Sequence, residues 1–200
     1  MSTEVNLMQC VVKAVAVLGF ENASMKTIAK NAGISPSTIY CHFDSKESMF
    51  EATFMYLAKE LCEFYSKDHA SLADTDQRTS VRRLWDRCLN FFFLKWEECL
   101  FFVRYRHSAY YTEEIQNRVL AFESGYRGHS EDIAMIFGFE AKNGCASIIM
   151  RYFVETTLLY AEQRILGKAQ PIHDDVAFET VYGSLLTLEK ALVKNEQPIE

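Results

Sequence analysis

Glycine and proline are scarce in this sequence, with 8 Gly and 3 Pro among 200 residues. These residues end helices and form tight turns, so their scarcity favours a few long helices over many short strands. Apolar side chains also recur at steps of three and four, as at Trp85, Cys88, Phe92 and Trp96. We therefore predict an all-α fold of about nine helices.

A long apolar run is missing too. No stretch approaches the roughly 18 uninterrupted apolar residues that suggest a membrane-spanning helix. The segment VVKAVAVLGF near the N-terminus is interrupted by Lys13, and no small-residue cleavage site follows it. We expect a first core helix there, and a soluble, cytoplasmic protein with no membrane partner.

Sequence motifs of catalysis and metal binding are absent. The histidines lie on separate segments without HxxxH or HExxH pairing, and there is no GxSxG, P-loop or GxGxxG. Glu97 and Glu98 adjoin Cys99, but adjacent residues on a helix diverge by about 100° and do not converge on a site. We expect a non-enzymatic protein with no catalytic residue, no metal site and no cofactor.

The six cysteines form no CxxC pair, and most lie inside apolar helical patterns. A small secreted domain held by disulfides would show a different spacing. We interpret them as buried, reduced thiols. A redox sensor is the alternative, for which Cys41 is the candidate because of its position.

Acidic residues are missing from one segment near the N-terminus. Residues 22–43 contain Lys26 and Lys30 and no Asp or Glu, although the whole chain carries a net charge of −6. Residues 1–50 balance four lysines against four acids, so the negative charge belongs to the remainder. A local shortage of acids suits contact with a polyanion. Because the positive charge of the segment is modest, we expect that two subunits must bind together.

The same segment has the pattern of a helix-turn-helix. Ser24 and Ser35 are placed to cap two short helices, Pro36 occupies a first-turn position, and Gly33 ends the first helix. Core positions are predicted at Ile28, Ala29, Ala32, Ile34 and Ile39. Asp44 and Glu47 form a capping-box pattern that would start a long fourth helix. The outward residues of the second short helix are small enough to enter a major groove, namely Ser35, Pro36, Ser37, Thr38 and Cys41.

The run MKTIAKNAGISPSTIYCHFDSKESMF, with its core IAxxAGIS followed by IYxHFxxKE, resembles the DNA-binding domain of the TetR/AcrR family of bacterial transcriptional regulators. The resemblance implies a three-helix head at residues 1–50 and a helical ligand-binding and dimerisation bundle at residues 51–200. It departs from the family at Ser37, where glycine is frequent. The match covers under a quarter of the chain.

By position, the resemblance implies that Thr27, Ser35, Ser37 and Thr38 face DNA. Tyr40, His42 and Lys46 would contact the sugar-phosphate backbone, in agreement with the donors that phosphate oxygens accept. Lys26 and Pro36 complete the predicted set. Core packing is the alternative for Tyr40, and an ordinary surface position is the alternative for His42 and Lys46.

Residues 89–111 hold nine aromatic side chains, more than a bundle core requires. This excess suits a cavity for a flat or apolar organic ligand, although any single ring is as well explained by the core. The predicted pocket residues are Trp85, Phe92, Trp96, Tyr105, Phe122 and Phe153. Arg104 and Glu155 are candidates for orienting a polar group, with salt bridging as the alternative.

The last two predicted helices have wide apolar faces, and in the family the equivalent pair forms a four-helix dimer interface. The predicted interface residues are Ile148, Tyr152, Thr156, Leu159, Leu185 and Leu188. The expected function is a homodimeric repressor, released from a palindromic double-stranded operator by a small aromatic or apolar effector. The alternative is a helical small-molecule carrier or sensor that does not bind DNA.

Overall fold

The structure is a computed structural model that describes residues 3–66, 74, 76–124, 138–139, 145–167 and 173–195. These ranges contain nine α-helices and no strand, which confirms the predicted fold class. The helices are α1 (Thr3–Asn22), α2 (Met25–Ala32), α3 (Pro36–Tyr40), α4 (Lys46–Ser66), α5 (Gln77–Leu94), α6 (Trp96–Arg106), α7 (Glu113–Ser124), α8 (Cys145–Leu166) and α9 (Asp174–Asn195).

The first helix is long and apolar enough, by length and composition alone, to cross a membrane. In the structure its apolar residues Leu7, Val11 and Val15 are buried in a core, which fits the predicted core helix. Its last turn is kinked at Gly19, whose φ of 74° is open to glycine and strained for other residues.

The long fourth helix is capped differently from the prediction. The capping box consists of Ser45 and Ser48: the Ser48 N–H donates to Ser45 Oγ, and the Ser45 N–H donates to Ser48 Oγ, both over 3.0 Å. The prediction of Asp44 and Glu47 was therefore wrong by one residue. Serine satisfies both ends of the reciprocal arrangement as well as an acid does, because each hydroxyl can accept the N–H of the other residue.

The spacing of apolar residues predicts a helix that starts at Ser80, and in the structure the fifth helix begins three residues earlier, at Gln77. Asp76 is its N-cap, since its carboxylate accepts the Thr79 N–H over 2.9 Å. The Thr79 hydroxyl and N–H together lower the pKa of Asp76 below its ordinary value. The sequence also predicts a helix over residues 112–136, bent near Gly125 and Gly128. It corresponds to α7 as far as Ser124, and its continuation with the two glycines lies outside the described residues.

The chain divides into two packing units. The first comprises residues 1–61 and 95–120. Its core joins the helix-turn-helix to α6 and α7, because Phe101, Tyr105, Ile115 and Val119 belong to the same buried cluster as Ile28 and Ile39 of the head. Phe54 of α4 stacks between Phe102 and Tyr105 of α6, at centroid distances of 4.8 and 4.5 Å.

The second unit comprises residues 62–94 and 121–200. Helices α5, α8 and α9 pack around Trp85, Phe153 and Phe178, which are fully or almost fully buried. Ion pairs join α5 to α9: Arg78 pairs with Glu179, and Arg82 Nη1 lies 2.6 Å from Asp175 Oδ1. The hydrogen bond from Arg82 lowers the pKa of Asp175.

Candidate nucleic-acid interface

The turn between α2 and α3 fixes the angle at which α3 leaves the core. Gly33 adopts the left-handed conformation, with φ 69°, and donates its N–H to Lys30 O, while the Ile34 N–H donates to Ala29 O. This pair of bonds is the Schellman motif, which ends α2 and reverses the chain. Ile28, Ala29 and Ile39 are buried beneath the turn, so the predicted helix-turn-helix core is confirmed at these positions.

Three hydroxyls cluster at the start of α3. Ser35 Oγ accepts the Thr38 N–H over 3.2 Å, which confirms Ser35 as the cap. The same oxygen lies 2.6 Å from Ser37 Oγ and 2.9 Å from Thr38 Oγ1. Each O–H···O bond uses one proton, so one of the three hydroxyl protons remains to donate to an outside acceptor.

Most of the other side chains predicted to face DNA are exposed. Lys26, Pro36 and His42 are exposed, and Thr27 is half-buried because its N–H and hydroxyl bond to Ser24, the N-cap of α2. Tyr40 is 55% exposed, so core packing, the alternative for this residue, is wrong. Cys41 is also exposed, and its thiol donates to Ser37 O.

Lys46 has an intramolecular role that the sequence did not indicate. Its ammonium donates to Phe20 O over 2.8 Å and lies 5.3 Å from the centroid of the Phe50 ring. These contacts attach the start of α4 to the end of α1. Two N–H donors of the ammonium remain for a phosphate, so its contact with DNA stays a prediction.

Arg104 lies in the first unit, and its side chain bonds to the backbone of α1. Its Nη1 donates to Val15 O and Ala16 O, over 3.0 and 2.9 Å. The guanidinium thereby links α6 to the C-terminal half of α1. No local sequence signal marks this contact, because the partners are 88 and 89 residues apart.

The predicted ligand pocket is divided between the two units. Trp85, Phe92 and Phe153 are buried in the second unit, whereas Tyr105 is buried in the first, against Phe54. Trp96, also in the first unit, is 41% exposed. The side chain of Phe122 lies outside the described residues. One pocket formed by all six residues stays a prediction.

The predicted dimer residues fall into two groups. Ile148, Tyr152 and Leu159 are exposed along α8, and Thr156 and Leu188 are partly exposed. Leu185 is fully buried within its own chain and has no surface to offer a second copy. The remaining apolar side chains form an exposed stripe, which we call the α8 stripe and define as Ile148, Tyr152 and Leu159.

The described residues together define a helix-turn-helix protein with a helical body. Residues 14–53 match the sequence profile described as bacterial regulatory proteins of the tetR family. Two curated relatives are HTH-type transcriptional regulators: BetI of Yersinia pestis, 35% identical over 78 residues that make up 39% of each chain, and UidR of Escherichia coli, 51% identical over 37 residues that make up 18% of this chain and 19% of UidR. The chain thus aligns with about two fifths of the length of BetI.

Solved structures resemble the chain over most of its length. A TetR family transcription regulator from Marinobacter aquaeolei VT8 covers 90% of this chain and 94% of its own, with a TM-score of 0.67 and 21% identity. The FadR regulator of Bacillus subtilis in complex with stearoyl-CoA covers 92% and 96%, with a TM-score of 0.65 and 15% identity. Residues 14–53 therefore resemble the TetR family in sequence, and the fold of the chain resembles that of TetR family regulators.

Proposed function

We propose that the chain is a homodimeric repressor that binds a palindromic operator through α3 and releases it when a small molecule binds the second unit. The observation that carries this proposal is the surface of α2 and α3: Lys26, Ser37 and Tyr40 are exposed, Thr38 is partly exposed, and no acid occurs between residues 22 and 43.

The side chains of α3 set the kind of DNA contact that we expect. The helix PSTIY contains no Arg, Lys, Asn, Gln, Asp or Glu, so none of its side chains can form a bidentate hydrogen bond with a base. Ser37 and Thr38 offer single hydroxyls, and the methyl group of Thr38 suits contact with a thymine methyl. We expect modest base discrimination in each half-site, with part of the affinity supplied by phosphate contacts.

Two subunits are needed for this modest contact to become specific. A two-fold dimer places its reading helices in major grooves about 34 Å apart, one helical turn of DNA, so the operator is expected to be palindromic. The α8 stripe is the surface that we assign to the dimer, because isolated exposed residues are ordinary whereas Ile148, Tyr152 and Leu159 lie on one helix at steps of four and seven.

Ligand control is supported by the buried aromatic cluster of the second unit and by the fold neighbour that was solved with stearoyl-CoA. An effector that binds one arrangement of the dimer more tightly shifts the population towards it. If that arrangement spaces the two heads wrongly for the operator, DNA affinity falls, and bound DNA weakens effector binding by the same factor.

The DNA-binding step is tested by selecting bound fragments from random DNA and measuring their affinity by mobility shift. Tyr40→Phe removes only a hydroxyl from an exposed ring, and we expect about tenfold weaker binding if that hydroxyl bonds to a phosphate. Lys26→Ala is expected to weaken binding to all sequences and to reduce the slope of log affinity against log salt by about 1.

The matched control is Lys190→Ala, which removes an exposed lysine from α9 in the other unit. It should leave both affinity and salt slope unchanged. If the wild-type protein enriches no sequence, the alternative of a small-molecule carrier or sensor that does not bind DNA becomes the better description. Equal effects of Lys26→Ala and Lys190→Ala on DNA affinity would show that α2 does not contact DNA.

A further inference from the structure

The indole of Trp85 holds an unsatisfied polar group in the core of the second unit. The side chain is fully buried, and its ring lies 5.5 Å from Tyr160, 6.1 Å from Phe178 and 6.4 Å from Phe153, measured between centroids. Among the described residues, Trp85 Nε1 is the one buried side-chain N or O atom that has no hydrogen-bond partner. Losing water without gaining an acceptor is unfavourable, so this N–H requires an explanation.

Other buried polar side chains of the described chain are satisfied. The hydroxyls of Thr53 and Thr157 donate to the carbonyls of Met49 and Phe153, over 2.8 and 2.7 Å. The Tyr160 hydroxyl, which belongs to the ring cluster, donates to Asp174 and accepts a bond from Arg164. The fold therefore pairs its buried donors consistently, and Trp85 is the exception.

We propose that the Trp85 N–H is the anchor of a ligand site, and that the ligand is a neutral, mainly apolar molecule with one carbonyl acceptor, such as a ketone or an ester. The aromatic rings around the indole favour an apolar ligand body, and the N–H requires a hydrogen-bond acceptor. This site deepens the proposed function, because it assigns a chemical class to the effector.

The surrounding charges favour a neutral ligand over an anion. Arg78 and Arg82 lie over the Phe178 ring, at 5.6 and 5.0 Å, and Arg164 lies 6.0 Å from the Tyr160 ring. Each of these guanidiniums is already paired with a carboxylate, respectively of Glu179, of Asp86 and Asp175, and of Asp174. A carboxylate or phosphate on the ligand would compete with these acids and would gain little from cations that they already neutralise.

Binding at this site couples to the packing of the helices. Because the indole is enclosed by rings from α8 and α9, a ligand reaches the N–H only if those rings move apart. The α8 stripe, our proposed dimer surface, lies on the same helix as Phe153 and Tyr160. Ligand entry therefore changes the position of α8 relative to α5, and this consequence for the dimer rests on the proposed function.

The site is tested with two matched pairs of probes: acetophenone and ethylbenzene, then 2-acetylnaphthalene and 2-ethylnaphthalene. The members of a pair have nearly the same size and differ in the carbonyl. We expect the wild-type protein to bind at least one ketone about tenfold more tightly than its hydrocarbon in equilibrium dialysis, as one buried hydrogen bond provides. Trp85→Phe, which keeps an aromatic ring without the N–H, should bind both members equally.

The control is Trp96→Phe, which removes the other tryptophan of the chain, in the first unit. It should keep the preference for the ketone. It also leaves a single indole N–H signal in the nitrogen-15 NMR spectrum, which should shift downfield with the ketone and hardly move with the hydrocarbon. This measurement keeps Trp85 in place, so it remains informative if Trp85→Phe does not fold.

Three outcomes would overturn the proposal: binding of neither ketone, a ketone preference that survives in Trp85→Phe, or an indole N–H that already contacts a trapped water in the free protein. None of these measurements uses DNA. A failure here therefore leaves operator binding standing, and a failure of the mobility-shift experiment leaves the ligand site standing.

Discussion

The two packing units differ in how fully their described polar groups are hydrogen-bonded within the unit. In the first unit, Ser24, Ser35 and Ser45 cap the helices of the head, Arg104 bonds to carbonyls of α1, and Lys46 bonds to Phe20 O. In the second unit, the indole of Trp85 has no partner among the described residues. Its helix α8 also exposes an apolar stripe, with Leu159 54% exposed.

This difference indicates separate tasks for the two units. A head that must present α3 at a fixed angle gains from having its polar groups bonded internally, because every such bond restricts its conformations. A unit with an unpaired buried donor and an apolar stripe gains free energy by binding something else, which we propose to be an effector and a second copy. The predictions below test this contrast, beginning with the largest expected effect.

Removal of Phe54 should damage the first unit most. Its ring is fully buried and stacks with Phe102 and Tyr105, so Phe54→Ala is expected to lower the free energy of unfolding by about 3–5 kcal/mol. Urea unfolding followed by circular dichroism measures the change. Phe93→Ala, at a partly exposed ring of α5, is the control and should cost about 1 kcal/mol or less. A similar loss in both variants would contradict the packing described for the first unit.

A charge in the α8 stripe should separate the subunits. Leu159→Glu is expected to weaken dimerisation at least about a hundredfold, or about 2.8 kcal/mol, because a carboxylate would be buried against apolar side chains. Analytical ultracentrifugation over a concentration series measures the dissociation constant. Val17→Glu is the control, since Val17 is 71% exposed on α1, outside the stripe. If Leu159→Glu remained as dimeric as the wild type, the dimer interface would have to lie outside the α8 stripe.

Replacing one glycine in each unit by alanine should change the stability of the protein in opposite directions. Gly33 has φ +69°, so Gly33→Ala is expected to destabilise the protein by about 1–2 kcal/mol through strain in the turn. Gly183 lies within α9 and has open space around it, so Gly183→Ala should stabilise the helix by about 0.5–1 kcal/mol. Thermal unfolding of both variants gives the signs. A loss of dimerisation in Gly183→Ala would show that the subunits approach closely at this glycine.

High pH should destabilise the first unit through Tyr105. Burial, with a smaller contribution from Tyr111, raises the pKa of Tyr105 from 10.0 to about 12. The folded state then keeps a proton that the unfolded state releases, so the stability that Tyr105 contributes is fully present below pH 10 and is lost as the pH rises towards 12. Tyr105→Phe should reduce this loss, as measured by urea unfolding at pH 8 and pH 11.

The corresponding variant in the second unit is Tyr182→Phe. Burial also raises the pKa of Tyr182, but the side chain is partly exposed and donates to Gln77 Oε1, so the effect on the alkaline loss should be smaller. If Tyr182→Phe removed more of the loss than Tyr105→Phe, the first unit would not be the more sensitive one.

Some features of the head were predictable because their causes are local. Ser24, Gly33 and Ser35 act on backbone groups within five residues, and such spacings can be read directly from the sequence. The wrong prediction for the cap of the fourth helix also comes from a local pattern. Asp44–Glu47 and Ser45–Ser48 both fit a capping pattern at the same spacing, and only the structure distinguishes these two registers.

The aromatic residues show where sequence reasoning stops. Trp85 and Tyr105 are both large aromatic residues in helical patterns, and both were assigned to one pocket. The structure buries them in different units, with Phe153, Tyr160 and Phe178 around one and Phe20 and Phe54 around the other. Leu185 is a similar case, because an apolar pattern does not distinguish the face that packs within a chain from the face left exposed.

The sequence by itself determined the helical fold, the caps at Ser24 and Ser35 and the helix-turn-helix, since propensity, capping and turn chemistry act over a few residues. It also determined the local shortage of acids that makes this head suited to DNA. Only the tertiary structure decided that α6 and α7 share the core of the head, that Arg104 reaches α1, and that the Trp85 N–H has no partner among the described residues. These features depend on contacts between residues far apart in the chain. They are selected by the free energy of packing, which the local sequence does not reveal.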